Sequence, residues 1–209
     1  MSEPESGSRR GGRTLPSGEA RPVYNLDLLL DVAVRVFTER GYDGTSFTHL
    51  SQASGLSKSS IFHHIDSKEQ LLRLGLERAL EPLMASIDEE AARTGPAIER
   101  LTWLVRRNLE IMAERLPYVQ LLLNVHGNTD TERWALEQRR AYDKFIAGVV
   151  QDAIAEGDVR ADIDARTTAR LLIGMSNSVR EWYRPTRHTK PAELADQVCS
   201  IVLDGIRVR

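Results

Sequence analysis

From Asn25 onward, apolar positions recur at three- and four-residue spacing, and no stretch alternates strictly between apolar and polar residues. That pattern predicts helix after helix and no sheet, an all-α chain of about nine helices. Leu29, Ala33, Val36 and Phe37 form the buried stripe of a first helix over residues 26–40, with Asn25 as its N-cap and Gly41 as its stop. Short helices follow over 46–53 and 57–64. A fourth begins at Ser67, where Ser67-Lys68-Glu69-Gln70 has the form of a capping box, and runs towards residue 90 with a possible kink at Pro82. The remaining helices are expected over 96–114, 117–125, 130–156, 164–183 and 191–206. Pro96 and Pro191 suit first-turn positions, and Gly157 suits a C-terminal stop.

The two short helices carry the most specific signal. A three-residue turn, Ser54-Gly55-Leu56, joins them, and Gly55 can take the left-handed conformation that reverses the chain. Phe47, Leu50 and Ala53 are expected on the inner face of the first, with Ala53 small enough to let the helices cross closely. Leu56 and Ile61 anchor the second against Phe37. Lys58, Ser59, Ser60, Phe62 and His63 are then left outside, mostly short or donor-bearing groups of the kind that enter a DNA major groove. Ser46 and Lys68 start the flanking helices, where backbone N–H groups favour phosphate.

Composition narrows the function. The chain has 209 residues, 41% of them apolar, and a formal net charge of -2. A DNA-binding reading therefore rests on local motifs and not on bulk charge. Residues 1–70 hold eight Lys/Arg against nine Asp/Glu, which predicts few neutralised phosphates and a modest salt slope. The single cysteine, Cys199, fits a reducing cytoplasm. No apolar run is long enough to span a membrane, and the polar first twenty residues lack a signal-peptide core. Residues 1–22 are expected to be a disordered arm, either a solvated tail or a minor-groove contact through Arg9, Arg10, Arg13 and Arg21.

Taken together, Phe37-x-x-x-Gly41-Tyr42-x-x-Thr45-Ser46, Ala53-x-Gly55-Leu56-Ser57 and Ile61-Phe62-His63-His64-Ile65-x-Ser67-Lys68-Glu69-x-Leu71 resemble the DNA-binding region of TetR-family regulators. The resemblance implies a helix-turn-helix domain over 23–70 and a helical effector-binding and dimerisation domain over 71–209. It further implies a homodimeric repressor that holds double-stranded operator DNA until a small-molecule effector releases it. By that resemblance Lys58, Ser59, Ser60 and His63 face bases or nearby phosphates, within a DNA-binding stretch that begins at Ser57. Thr45 or Ser46, with Thr48, His64 and Lys68, contacts the backbone. Phe62 stands where the family usually has Tyr, so a hydroxyl gives way to apolar contact, suited to a thymine methyl.

In the larger part, residues 171–179 carry no charge, so a helix there must be covered on every side. Leu172, Met175 and Ser176, with Val198, Ile201 and Val202 of the last helix, are the expected dimer interface. Asn108 and Met112 on one helix, Trp134 and Phe145 on another, and Met175 and Asn177 on a third are the expected effector pocket. Asn108 is either a satisfied core group or a ligand contact. Residues 178–185 resemble a segment of some TetR-type regulators of fatty-acid or steroid catabolism that sense acyl-CoA thioesters. Arg180 would then anchor a carboxylate or phosphate, with long-chain acyl-CoAs first among the candidates, ahead of free fatty acids and aromatic drugs.

Other classes have weaker support. The five histidines form no HExxH-like pair, Cys199 has no motif around it, and no Gly-rich phosphate loop is present. Neither an enzyme nor a cofactor is therefore expected. His63 and His64 diverge by about 100° on a helix, which argues against a shared metal ion. A helical ligand-binding protein that never reads DNA is the alternative.

Overall fold

The computed structural model describes residues 26–184 and 190–207, and ten helices among them. They are α1 (Leu26–Arg40), α2 (Phe47–Ser54), α3 (Lys58–Phe62), α4 (Lys68–Ser86), α5 (Glu90–Arg93), α6 (Ala97–Glu114), α7 (Leu116–Leu123), α8 (Asp130–Glu156), α9 (Ala165–Trp182) and α10 (Pro191–Ile206). The arm at 1–22 and the N-cap expected at Asn25 lie outside the described residues. No helix among the described residues is long and apolar enough to cross a membrane.

The all-α expectation holds, with one extra helical turn. The helix expected to reach residue 90 passes through Pro82 and stops at Ser86. Its end tightens: Asp88 and Glu89 N–H reach back only three residues, to Ala85 and Ser86 carbonyls, and Ser86 Oγ donates to Leu83 O at 2.6 Å. α5 is the separate turn that follows. Elsewhere the caps set the ends. Ser57, Ser67, Thr129 and Asp164 each accept a backbone N–H three residues on, and Gly55 and Gly157 close α2 and α8 in the left-handed region.

α6 lies at the centre of the larger part, burying Leu101, Leu104, Val105 and Leu109 among α8, α9 and α10. Its Pro96 N-cap offers no side-chain cap, and Glu156 at the end of α8 accepts the Ala97 N–H at 2.7 Å instead. Cys199 is buried beside it, with Sγ 3.8 Å from Thr102 O, and burial pushes its thiol pKa up.

The head, α1 to α3, closes around Leu29, Leu30, Phe37, Leu50, Ile61 and Ile65, all fully or almost fully buried. One inner position differs from expectation. Ala53 is exposed and Ser54 is buried in its place. At 100° per residue, position i+7 from Phe47 returns to the inner face, whereas i+6 does not.

α4 and α7 join head to body. Gly75 on α4 sits so close to both neighbours that a Cβ there would lie 3.0 Å from Leu121 Cδ2 and 3.0 Å from Val34 Cγ2. Polar ties surround this contact. Tyr118 of α7 donates to Asp31, Arg78 pairs with Asp27 at 2.6 Å, and Thr131 donates to Glu69 at 2.8 Å. Burial first, then the hydrogen bond to Asp31, pushes the Tyr118 pKa up to about 12. Gly75→Leu is expected to destabilise the chain by about 1–3 kcal/mol in urea unfolding, because it overpacks this junction. Unchanged stability would mean that α1, α4 and α7 do not meet as described.

Candidate nucleic-acid interface and effector cavity

The outer surface of the head is built by two caps and one ring pair. Ser57 caps α3 and exchanges hydrogen bonds with Ser59 Oγ at 2.9 Å and Ser60 Oγ at 2.8 Å, so these three hydroxyls act as one network. Lys58 is exposed on the first turn of α3 and makes no ion pair among the described residues. Phe62 is 49% exposed and its ring lies 4.5 Å from that of Phe47. Thr48 and His63 are exposed and His64 is half-buried, so the structure gathers these residues on the α2–α3 side of the head.

Ser46 caps α2 in a full capping box, with His49 Nδ1 accepting the Ser46 N–H at 3.2 Å. The sequence pattern missed this box because its N3 residue is neither Glu nor Gln. At Ser67 the expected box shifts by one position: Gln70 Oε1 accepts the Asp66 N–H, at 2.6 Å.

Two residues expected on the phosphate-facing side have other work. Thr45 is only 3% exposed, and its hydroxyl donates to Gly41 O at 2.7 Å. Lys68 Nζ donates to Tyr42 O and Thr45 O, both at 2.8 Å, and sits 4.1 Å from the Tyr42 ring centre. Its ammonium fastens the start of α4 to the loop between α1 and α2.

A cavity lies in the body between α4, α6, α7, α8 and α9. Its volume is only about 40 Å³. Leu83, Ile111, Met112, Val119, Leu122 and Ile173 make its walls apolar. Its polar groups are Asn108, Asn177, Arg139, Tyr142 and Asp143. Tyr142 Oη and Asn108 Oδ1 are buried and close no hydrogen bond of normal geometry, although Asn108 and Ser86 lie near the phenol. Burial drives the Tyr142 pKa up to about 12. Burial also lowers the Arg139 pKa and raises that of Asp143, and the attraction between the two opposes both shifts.

Of the residues expected here, Asn108, Met112 and Asn177 line the cavity, and Trp134, Phe145, Met175 and Arg180 do not. Trp134 lies under the guanidinium of Arg73, 3.3 Å from its ring centre, and lines a separate groove with Met84. Phe145 is half-buried with Arg93 5.5 Å from its ring centre. Arginine cover lets both rings sit at the edge of the core, and the buried positions beside them are one residue on, at Ala135 and Ile146. Arg180 pairs with Glu181 at 2.7 Å and bridges to Asn124 at 3.3 Å. The guanidinium in the cavity is that of Arg139.

The expected interface also divides. Leu172, Ser176, Val198 and Val202 are buried within the chain's own core, since α9 and α10 each turn that face towards α6. Met175 and Ile201 point outward, 42% and 71% exposed, together with Leu171 at 68%.

The profile described as "Bacterial regulatory proteins, tetR family" matches residues 29–74, and "Tetracyclin repressor-like, C-terminal domain" matches 94–206. Among curated relatives, the HTH-type transcriptional repressor KstR2 of Rhodococcus jostii is 29% identical over 181 residues, covering 85% of this chain and 89% of that protein. The crystal structure of SCO3833, a TetR-family member from Streptomyces coelicolor, is 53% identical with a TM-score of 0.82, covering 90% of this chain and 94% of that one. AibR, solved with isovaleryl coenzyme A and operator DNA, shares the fold at 23% identity and a TM-score of 0.70, covering 84% of this chain and 96% of that one.

Lys68→Met should lower stability by about 1–3 kcal/mol, since it removes charged hydrogen bonds to two carbonyls. A thermal midpoint equal to that of the wild type would return Lys68 to a purely DNA-facing role.

Proposed function

Because the chain is a member of the TetR family of bacterial regulators, we propose that it is a dimeric transcriptional repressor, released from its operator when an apolar, acyl-bearing effector enters the cavity. The observation that carries this reading is the double duty of α7. Val119, Leu122 and Leu123 line the cavity, while Tyr118 and Leu121 touch Asp31 of the head and Gly75 of α4. The cavity is narrow, so a ligand of several carbons must displace its walls. α7 is the wall that also holds the head.

Each head presents Ser57 to His64 to a major groove, with Lys58 and the linked serines as hydrogen-bonding groups and Phe62 as an apolar contact. Two heads related by a two-fold axis require a near-palindromic site. The exposed apolar side chains of Leu171 and Met175 on α9 and of Ile201 on α10 supply the isologous interface. Release requires that the effector favour a head arrangement that no longer fits both half-sites. The relatives' descriptions agree with this chemistry: a repressor in KstR2, and an acyl thioester with operator DNA in AibR.

Selection of genomic fragments on the purified protein, followed by fluorescence anisotropy, tests the reading. A near-palindromic site should be enriched, and Lys58→Ala should weaken it by about 1–3 kcal/mol if that lysine reads a base. Leu171→Glu should convert the dimer to monomer in sedimentation and weaken operator binding with it. Recovery of no enriched site would leave a helical ligand-binding protein that does not read DNA.

A further inference from the structure

Most arginines of the body are paired: Arg100 with Asp152, Arg106 with Asp196, Arg133 with Asp130, Arg160 with Asp162. Four of the others share one groove. Arg140 and Lys144 on α8, and Arg166 and Arg170 on α9, form no ion pair and no side-chain hydrogen bond among the described residues. All four line one open groove of about 530 Å³ between these two helices. Each pair is spaced i,i+4, an arrangement in which like charges repel and weaken the helix that carries them.

The groove holds only two carboxylates, Asp143 and Asp164, so four positive charges against two negative leave it at +2. Asp164 is committed as the N-cap of α9, accepting the Thr167 N–H at 2.8 Å. Small residues form the floor, and at Gly148 nothing lies within 4 Å of where a Cβ would stand, so a ligand can approach the backbone. Asp143 lines both this groove and the apolar cavity, so the two spaces adjoin at that side chain. On the cavity side of Asp143 stands the buried Tyr142 hydroxyl with no hydrogen bond of normal geometry.

Operator phosphate is the wrong occupant. Arg140 and Gln151 lie 9 and 20 residues along α8 from Thr131, which donates to Glu69 at the head end of α4. At 1.5 Å per residue the groove begins about 14 Å from that contact and extends to about 30 Å. The combination that fits is a phosphate-rich handle with an apolar end: the phosphates meet guanidinium and ammonium groups in water, and the apolar end lies in the dry space next door.

We propose that the α8–α9 groove binds the phosphate-bearing handle of a thioester effector, through Arg140, Lys144, Arg166 and Arg170, while the acyl end passes Asp143 into the cavity. The proposal rests on the reading of the cavity as the effector site, and the two fail differently. Titration calorimetry on the full chain at low salt, with coenzyme A, hexanoyl-CoA and hexanoic acid as probes, separates them. Coenzyme A without an acyl group should bind the wild type. Arg166→Gln with Arg170→Gln should weaken it at least tenfold, Arg166→Lys with Arg170→Lys should retain most of it, and Asn108→Leu should leave it intact. Circular dichroism verifies that each variant folds. If coenzyme A does not bind, or binds the double Gln variant as well as the wild type, the groove proposal is overturned. Hexanoic acid releasing operator DNA while coenzyme A is inert would also overturn it, and would leave the cavity reading standing. Coenzyme A bound as expected, with no probe releasing DNA, supports the groove and counts against the cavity.

Discussion

Gly75, Val34 and Leu121 meet where α4, α1 and α7 cross, and the close approach of these helices is possible because one residue has no side chain. Nothing bulkier than glycine fits without displacing a branched side chain on the head or on the cavity wall. The head is therefore packed directly against an element that also bounds the cavity, with no flexible linker between them. α4 runs unbroken from Lys68, beside the reading surface, to Ser86, beside the cavity. Packed interiors move between discrete arrangements more readily than they deform continuously, so a change at α7 is passed on and not absorbed.

The polar groups in the cavity bear on energetics as well as recognition. An orphaned hydroxyl or amide oxygen in an apolar site costs about 1–3 kcal/mol. A ligand that satisfies Tyr142 Oη and Asn108 Oδ1 gains that energy on binding, and it gains most in the arrangement that admits its full length. Differential affinity of this kind is what release from DNA demands. Arg139 and Asp143, both shifted by burial towards their neutral forms, make the same region responsive to a charged or strongly polar group.

Legibility in the sequence followed the strength of local chemistry. The Gly55 turn, the Ser67 cap and the apolar stripe of α1 each rest on one residue type doing one thing, and all were visible. Harder were the positions where an aromatic sits at the edge of the core. Trp134 and Phe145 read as pocket residues although arginines from other helices cover them, and Tyr142 was lost between Arg140 and Asp143. Ser54 replaced Ala53 inside the head because small polar residues carry little hydrophobic signal. The charge-free run at 171–179 marked a helix with more apolar surface than its own core covers, yet it could not say that Leu172 faces inward while Leu171 faces out. The cations of the α8–α9 groove lie up to 30 residues apart, and nothing in their local sequence distinguishes them from ordinary surface arginines.

Coupling is reciprocal, so operator binding must be felt in the cavity wall if the cavity controls operator binding. Hydrogen exchange of the full-length dimer, measured with and without a selected operator duplex, tests this without knowledge of the effector. The account predicts altered protection in residues 116–123 of α7 and in the cavity-facing turns of α6, alongside the protection of α2 and α3. Changes confined to residues 46–68, with α7 and α6 exchanging as in the free protein, would contradict it.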